Sequence, residues 1–231
     1  MQNVPPRSPT FAAAQHAFRC ALLCVAFKRE SWCAAGGVTR DGKMLVTAGG
    51  VGDSSVRVWS PKSGECDHVI ASGHHAHDQQ GITCMAFSED PAVVATGGED
   101  GAVVVSNVSS GKAVAKLTHH EGSVEGVVYV PGLSILVSAG LDGKLVIWDT
   151  GMLAPRSVCM HKHGVTCLSV WGSGPLTASG SVDGAVRVFD VRTGATVVEL
   201  GGGQAVQCIR CMDEKQVITG SDDGIVRWYE W

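Results

Sequence analysis

Three histidines, His74, His75 and His77, lie within four consecutive positions of the segment SGHHAHDQQG. Imidazole nitrogens bind zinc and other transition metals, and they act as general acids and bases near neutral pH. The cluster could therefore be a metal site, a proton relay or a part of the framework of the fold. The choice between these alternatives depends on whether the segment occurs once or is one copy of a repeat.

Two other segments combine residue types that ligate metals. CIRC (Cys208–Cys211) has the spacing of zinc knuckles and thioredoxin-like redox sites, and CMHKH (Cys159–His163) offers a thiol and two imidazoles. No second Cys-x-x-Cys pair exists to complete a tetrahedral zinc site. The chain has nine cysteines, an odd number, which favours reduced thiols in a cytoplasmic or nuclear protein over a secreted disulfide framework.

A short motif recurs five times along the chain. An Asp that precedes a small residue is followed each time by a run rich in β-branched residues. These aspartates are Asp53, Asp100, Asp142, Asp183 and Asp223, at spacings of 47, 42, 41 and 40 residues. Alternating branched residues between Asp-Gly turns predict short antiparallel strands. Four strands in a period of about 40–45 residues are typical of a β-propeller blade, so we predict an all-β propeller with about five recognisable four-stranded blades.

The five units resemble WD repeats. In that family a His near the start of the unit, a Ser or Thr on the second strand, the turn Asp and a Trp on the third strand form a hydrogen-bonded chain. The residues that match are His120, Ser138, Asp142 and Trp148 in the third unit, His77, Thr96 and Asp100 in the second, and His161, Ser179 and Asp183 in the fourth. Ser106 and Phe189 stand in place of the Trp in the second and fourth units, and the first and fifth units have no clear His.

The repeat accounts for the histidine cluster. His77 lies 23 residues before Asp100, within one residue of the separation in the third and fourth units. We interpret His77 as the structural His of its unit, and His74 and His75 as extra residues of a lengthened loop. A buried carboxylate needs hydrogen-bond donors, which imidazole, hydroxyl and indole groups supply. This interpretation predicts no metal site, no cofactor and no catalytic residue.

A closer resemblance links the chain to the angio-associated migratory cell protein family over about residues 33–208. The segments that carry it are VVSNVSSGKAV, without the third-strand Trp, and GSVDGAVRVFDVRTG after CMHKHGV. The resemblance implies a non-catalytic scaffold of cytoplasm and nucleus. Its fungal relatives are chaperones of one basic ribosomal protein in large-subunit assembly, and its animal relatives are linked to migration and signalling. It also implies seven or eight blades, so five units predict part of a propeller.

In WD-repeat propellers, one face is lined by the Asp turns and by the loops that lead into each first strand. The resemblance places on this face Asp78, Glu99, Glu121, Leu141, Lys162, Val182 and Asp222. Acidic residues outnumber basic ones, which suits a protein or peptide partner with a basic segment. The alternative is a rim that is merely solvated. The net charge of −4 gives no sign of direct nucleic-acid binding, and no apolar run reaches the roughly 20 residues that span a membrane.

The chain divides into two predicted parts. We expect an N-terminal extension over residues 1–32, irregular or with one strand, and a propeller domain over residues 33–231. The predicted repeats cover roughly 33–72, 73–117, 118–157, 158–200 and 201–231. The expected function is an assembly factor or chaperone for a basic ribosomal protein, with a signalling or ubiquitin-ligase adaptor as the alternative. A propeller enzyme is less favoured, because no nucleophile-elbow motif is present and no polar cluster breaks the repeat.

Overall fold

The structure is a computed structural model that describes residues 33–50, 52–70, 77, 80–212 and 215–231. In these ranges nineteen strands form five antiparallel sheets, and each sheet uses consecutive strands of the chain. The predicted N-terminal extension lies outside the described residues. None of the described segments forms a helix that is long and apolar enough to cross a membrane.

Four of the sheets are four-stranded blades, and the fifth has three strands. Blade 1 contains β1 (Cys33–Val38), β2 (Leu45–Gly49), β3 (Val56–Trp59) and β4 (Cys66–Ile70). Blade 2 contains β5 (Ile82–Phe87), β6 (Val93–Gly98), β7 (Ala102–Asn107) and β8 (Lys112–Thr118). Blade 3 contains β9 (Val124–Val130), β10 (Ile135–Gly140), β11 (Lys144–Asp149) and β12 (Ala154–Met160). Blade 4 contains β13 (Val165–Val170), β14 (Leu176–Ser181), β15 (Ala185–Asp190) and β16 (Ala195–Gly201). Blade 5 contains β17 (Val206–Cys211), β18 (Gln216–Ser221) and β19 (Val226–Glu230).

The turn between the second and third strands of a blade depends on its Asp-Gly pair. Gly101 and Gly143 have φ values of +73° and +78°, in the left-handed region that glycine adopts at little cost. The preceding Asp accepts a hydrogen bond from the backbone N–H two residues on. Ala102 N donates to Asp100 Oδ1 at 3.1 Å in blade 2, and Ala185 N donates to Asp183 Oδ1 at 2.9 Å in blade 4. The Asp-Gly pair therefore closes the hairpins of blades 2 to 5 locally.

The first strands β1, β5, β9, β13 and β17 pack against one another in order, and the core lies between consecutive blades. At the interface of blades 2 and 3, a Cβ on Gly97 would lie 2.6 Å from Val124 Cγ1 and 2.7 Å from Cys84 Sγ. The same contacts recur two interfaces later, between blades 4 and 5, where a Cβ on Gly180 would lie 2.6 Å from Val206 Cγ1 and 2.7 Å from Cys167 Sγ. Glycine on the second strand thus allows the close approach of the next blade.

The predicted fold class is confirmed, with one difference in the last blade, which has three strands. On its strand β19, Val226 is 72 % exposed and Trp228 is 57 % exposed. The corresponding residues of blade 2, Val103 and Val105, are buried against blade 3. Blade 5 therefore presents a bare blade-packing surface, as expected for an open part of a propeller.

Candidate interaction face and the network that positions it

One face of the arc is built from alternating turns and loops, and we call it the turn face. It comprises the Asp turns of blades 2 to 5 and the loops that lead into the first strands of blades 3 to 5. The Asp turns of blades 2 and 3 each pack on the loop of the next blade. A Cβ on Gly101 would lie 2.7 Å from the carbonyl oxygen of His120, and one on Gly143 would lie 3.0 Å from that of His161. The turn face is therefore a continuous, closely packed surface.

A repeated backbone hydrogen bond fixes the tip of each turn. The residue before the Asp donates its N–H to the carbonyl oxygen just ahead of the first strand. These bonds are Glu99 N to Gly81 O at 2.9 Å, Leu141 N to Ser123 O at 2.9 Å, Val182 N to Gly164 O at 3.0 Å and Asp222 N to Ala205 O at 3.0 Å. The four side chains consequently hold equivalent positions on successive blades.

Blade 3 contains the complete chain of four side chains. Trp148 Nε1 donates to Ser138 Oγ at 2.8 Å, and the Ser138 hydroxyl lies 2.8 Å from Nε2 of His120. His120 Nδ1 in turn lies 3.1 Å from Oδ1 of Asp142. Burial lowers the pKa of His120 and keeps the ring neutral, so Nδ1 carries the proton that it donates to Asp142. This series of hydrogen bonds links the third strand of blade 3 to the turn face.

The turn carboxylate of blade 3 is satisfied by backbone as well as by imidazole. Asp142 accepts from the N–H of Glu121 at 2.9 Å and from the N–H of Lys144 at 3.0 Å. Burial raises the pKa of Asp142, but these hydrogen bonds and the one from His120 outweigh it, and the net pKa is lowered. Asp142 is therefore an ionised structural residue that cannot act as a proton donor near neutral pH.

Blade 2 has the same chain without the indole. His77 Nδ1 lies 2.7 Å from Asp100 Oδ1, and His77 Nε2 lies 3.1 Å from Thr96 Oγ1. Lys116 Nζ lies 3.1 Å from the other carboxylate oxygen of Asp100. Burial opposes ionisation of Asp100, but the hydrogen bonds from His77 and Lys116 hold its pKa well below the usual range. At the Trp position, the hydroxyl of Ser106 is buried without a hydrogen-bond partner among the described residues.

Blade 4 departs from the expected chain. His161 Nε2 lies 3.3 Å from Ser179 Oγ, but its Nδ1 accepts a hydrogen bond from Arg187 Nη1 at 3.0 Å instead of donating to Asp183. Arg187 Nη2 donates to Asp183 Oδ2 at 3.1 Å, and Arg187 Nε donates to Glu199 at 3.0 Å. The five donors of a guanidinium allow it to bridge all three groups. Burial and the charge of Arg187 lower the pKa of His161 to about 4.

The same arginine position recurs in blades 1 and 5, and the sequence analysis missed it. Arg57 Nη1 lies 2.6 Å from Asp53 Oδ2, and Arg227 forms a short ion pair with Asp223. In both blades, as in blade 4, the Arg lies four residues after the Asp. Blades 2 and 3, where a His reaches the Asp, have Val at that position. The pattern Asp-x-x-x-Arg was readable in the sequence and marks the blades whose turn carboxylate is held by guanidinium.

The side chains predicted to line the turn face are exposed where the structure describes them. They are Glu99, Glu121, Leu141, Lys162, Val182 and Asp222, whereas Asp78 lies outside the described residues. The face is less acidic than its composition indicates, because Glu121 Oε1 lies 2.6 Å from Lys144 Nζ. No ion pair within the described ranges involves Glu99 or Asp222. Among the described residues predicted to line the face, Glu99 and Asp222 are thus the carboxylates without an ion pair.

Comparison with known proteins assigns the chain to a family. The family model described as "WD domain, G-beta repeat" matches residues 64–105, 111–149 and 155–190, which together make up half of the chain. The chain belongs to the WD40-repeat family. Each matched segment begins near or within the outermost strand of one blade and ends in the third strand of the next blade, so the repeat links neighbouring blades.

Relatives of this WD40 chain include an uncharacterized WD repeat-containing protein of Schizosaccharomyces pombe, 30 % identical over 79 % of the chain and 47 % of the relative. The human angio-associated migratory cell protein is 29 % identical over 81 % of the chain and 46 % of that protein, which confirms the resemblance. A chain in the crystal structure of a mitotic checkpoint complex superposes with a TM-score of 0.79 at 19 % identity, over 90 % of this chain and 64 % of that one. The WD40 chain thus spans about half the length of these curated relatives.

In the part of this WD40 chain that the structure describes, no three His, Cys, Asp or Glu side chains lie in an arrangement that could hold a metal ion. In the CMHKH segment, the Cys159 thiol donates to Gly194 O at 3.1 Å, and His161 is engaged by Ser179 and Arg187. In the CIRC segment, burial raises the pKa of Cys211 to about 12. That thiol is therefore protonated near neutral pH and is not a ready metal ligand.

Proposed function

We propose that this WD40 chain is a non-catalytic protein-interaction scaffold whose turn face captures a basic segment of a partner protein. The observation that carries the proposal is that the acidic residues of the face fall into two groups, one with internal hydrogen-bond donors and one without ion pairs. The turn aspartates are held by internal donors, whereas Glu99 and Asp222, each next to such an Asp, project from equivalent positions without an ion pair to another described residue. The second group remains free to meet a partner.

The absence of catalysis in this proposal rests on the state of the candidate groups. Asp100, Asp142 and Asp183 have pKa values below the usual range, so they stay ionised and do not supply protons near neutral pH. Burial raises the pKa values of Cys84 to about 12 and of Cys167 to about 11, which leaves their thiols protonated. A general acid or a thiolate nucleophile would need the opposite shifts.

A basic partner is supported by the charge of the face. Exposed carboxylates attract a positively charged segment over about 8–10 Å at physiological ionic strength, and they speed its encounter with the face. Their contribution to affinity is modest and is weakened by salt. Binding should therefore be specific in location but sensitive to ionic strength.

The finer assignment follows from the family resemblance. The partner that we propose is a basic ribosomal protein, and the chain acts as its chaperone or assembly factor during large-subunit biogenesis in cytoplasm and nucleus. Ribosomal proteins of this kind carry exposed basic segments, which need shielding before they meet RNA. A chaperone that shields these segments by one-to-one binding needs an exposed carboxylate face and no catalytic group.

The proposal is tested by purification of the tagged chain from its native cells, followed by identification of the bound proteins before and after a salt wash. We expect one basic ribosomal protein, which is lost as the salt concentration rises. Substitution of Glu99→Lys with Asp222→Lys should remove it. The control Glu65→Lys with Asp67→Lys, which makes the same charge change at exposed positions in and beside the outer strand of blade 1, should retain it.

Two results would contradict the proposal. Signalling or ubiquitin-ligase components that resist salt, without a ribosomal protein, would assign the chain to the adaptor class. Equal loss of the partner in both charge variants would show that net charge matters and that the turn face does not.

A further inference from the structure

We infer that the segment captured by the turn face carries a large apolar residue between basic residues. The inference rests on the proposed function and specifies the partner that this same face accepts. It follows from the order in which charged and apolar side chains occur along the face. At the repeated turn position, this order is Glu99, Leu141, Val182 and Asp222 on blades 2 to 5.

The two apolar residues lie on adjacent turns that share one loop. A Cβ on Gly164 would lie 2.9 Å from the carbonyl oxygen of Leu141, and the carbonyl oxygen of Gly164 accepts the N–H of Val182 at 3.0 Å. Both turns are thus fixed to the same loop of blade 4. The side chains of Leu141 and Val182 are held at the middle of the face by backbone contacts that do not depend on a partner.

Both side chains remain accessible although they are large and apolar. Leu141 is 50 % exposed and Val182 is 47 % exposed, and Met160, just before the shared loop, is 64 % exposed. Single exposed apolar residues are common on protein surfaces. Two of them at equivalent, rigid positions between two carboxylates are better explained as a contact for an apolar group.

The loop that leads into blade 5 is open at two glycines that are bonded to the turn of blade 4. It contains Gly202 and Gly203, where an added Cβ would have no neighbour within 4 Å. Their N–H groups donate to the carbonyl oxygens of Gly184 and Asp183 at 3.1 and 3.2 Å, which holds the loop against the turn of blade 4. Neither glycine therefore presents a side chain to a partner group that lies on the turn of blade 4, where Val182 is exposed.

The charges determine what flanks the apolar residue. Glu99 and Asp222 lie at the two ends of the row, while Lys162 lies in the shared loop between the two apolar turns. A basic residue is repelled from the middle by Lys162 and is attracted to either end. The complementary segment is therefore basic, then apolar, then basic.

The inference is tested with two fluorescein-labelled peptides and the purified chain. One peptide has a single leucine in a Gly-Ser frame with three lysines on each side, and the other has serine in place of the leucine. Fluorescence anisotropy at physiological salt gives both affinities. We expect the leucine peptide to bind about tenfold more tightly, because burial of an aliphatic side chain contributes at least about 1.4 kcal/mol.

Two double variants separate the apolar contribution from the charge contribution. In Leu141→Ser with Val182→Thr, the preference for leucine should disappear while salt-sensitive binding of both peptides remains. In Glu99→Lys with Asp222→Lys, binding of both peptides should be lost. The control Val114→Thr with Val197→Thr alters similarly exposed residues on the outer strands β8 and β16, and it should keep the preference.

Equal affinity of the two peptides for the unaltered chain, with salt-sensitive binding, would overturn the apolar contact but leave the basic-segment proposal in place. A leucine preference that survives in Leu141→Ser with Val182→Thr would also overturn it, because the apolar residue would then be bound elsewhere. If neither peptide bound in a salt-sensitive way, the proposed function itself would fail.

Discussion

Arg187 donates a hydrogen bond from Nη1 to Nδ1 of His161 across 3.0 Å, so a permanent cation holds the structural histidine of blade 4. In blade 3 the equivalent nitrogen of His120 faces the carboxylate of Asp142. One position in the repeat thus has opposite electrostatic surroundings in neighbouring blades. This difference makes blade 4 sensitive to acid at the side chain of His161.

The stability of the chain should fall as the pH drops from about 6.5 to about 4. His161 has a pKa near 6.5 when unfolded and about 4 when folded, since burial and Arg187 disfavour its charged form. The unfolded chain binds the proton first, so the stabilisation is complete above about pH 6.5 and is lost as the pH falls through that window. Asp183 and Glu199 face the same cluster, but their opposing effect is smaller.

Urea unfolding of the chain and of His161→Gln, measured at several pH values between 4 and 7.5, checks this prediction. Gln cannot titrate, so acidification should lower the free energy of unfolding of the variant less than that of the unaltered chain. The difference between the two decreases should reach up to about 3 kcal/mol. Parallel pH profiles for the two proteins would contradict the account, even if the variant is less stable at every pH.

Two buried serines should respond in opposite ways to removal of their hydroxyl groups. Ser138→Ala leaves the indole N–H of Trp148 and Nε2 of His120 unpaired, and it should lower the free energy of unfolding by about 1–3 kcal/mol. Ser106 is equally buried but has no described partner, so Ser106→Ala should leave the stability unchanged or raise it. Denaturant unfolding measures both, and an equal loss in the two variants would show that the hydrogen-bonded chain is not the cause.

Arg187 should contribute far more to stability than a surface arginine. Arg187→Met leaves Asp183 with one donor fewer in a largely buried cluster, and a cost of about 2–4 kcal/mol is expected. Arg192 is exposed and pairs with Asp190 at 2.9 Å, so Arg192→Met should cost about 1 kcal/mol or less. Thermal or urea unfolding of the two variants provides the comparison. Similar losses would mean that burial of the Arg187 cluster has no energetic role.

Charge reversal at Glu99 and Glu121 together should weaken binding of the lysine-rich serine peptide without unfolding the domain. Glu99 should contribute more to binding than Glu121, because Lys144 already pairs with the carboxylate of Glu121. Glu99→Lys alone should therefore lower the affinity more than Glu121→Lys alone. Anisotropy titrations give the affinities, and circular dichroism confirms that each variant is folded. Unchanged binding in the double variant would exclude this part of the face as the site.

The blades were predictable from sequence because their signals are local. An Asp-Gly pair with a left-handed glycine closes a hairpin by itself, and alternating branched residues assign the strands on either side. The position of His77 was also predictable, since its distance from Asp100 repeats in other units. These features need only short stretches of chain and a fixed period.

The partners of the turn carboxylates were harder to predict because several donors compete for them. His161 has the right spacing to reach Asp183, yet Arg187, four residues after that Asp, occupies the carboxylate and turns the histidine into an acceptor. The pairing of Glu121 with Lys144 likewise joins two loops whose approach depends on blade packing. Composition therefore overestimated how much of the predicted negative charge of the face is free of an internal partner.

Photo-crosslinking in the native cells tests whether the turn face is the surface that captures a basic segment. A photoreactive amino acid replaces Lys162, which lies on the face without adding to its negative charge, and a control chain carries it at Lys112, exposed on the outer strand β8. We expect a crosslink from position 162 to a basic segment of one protein and none from position 112. Crosslinks from the control position alone, or from position 162 only to acidic or neutral segments, would contradict the account.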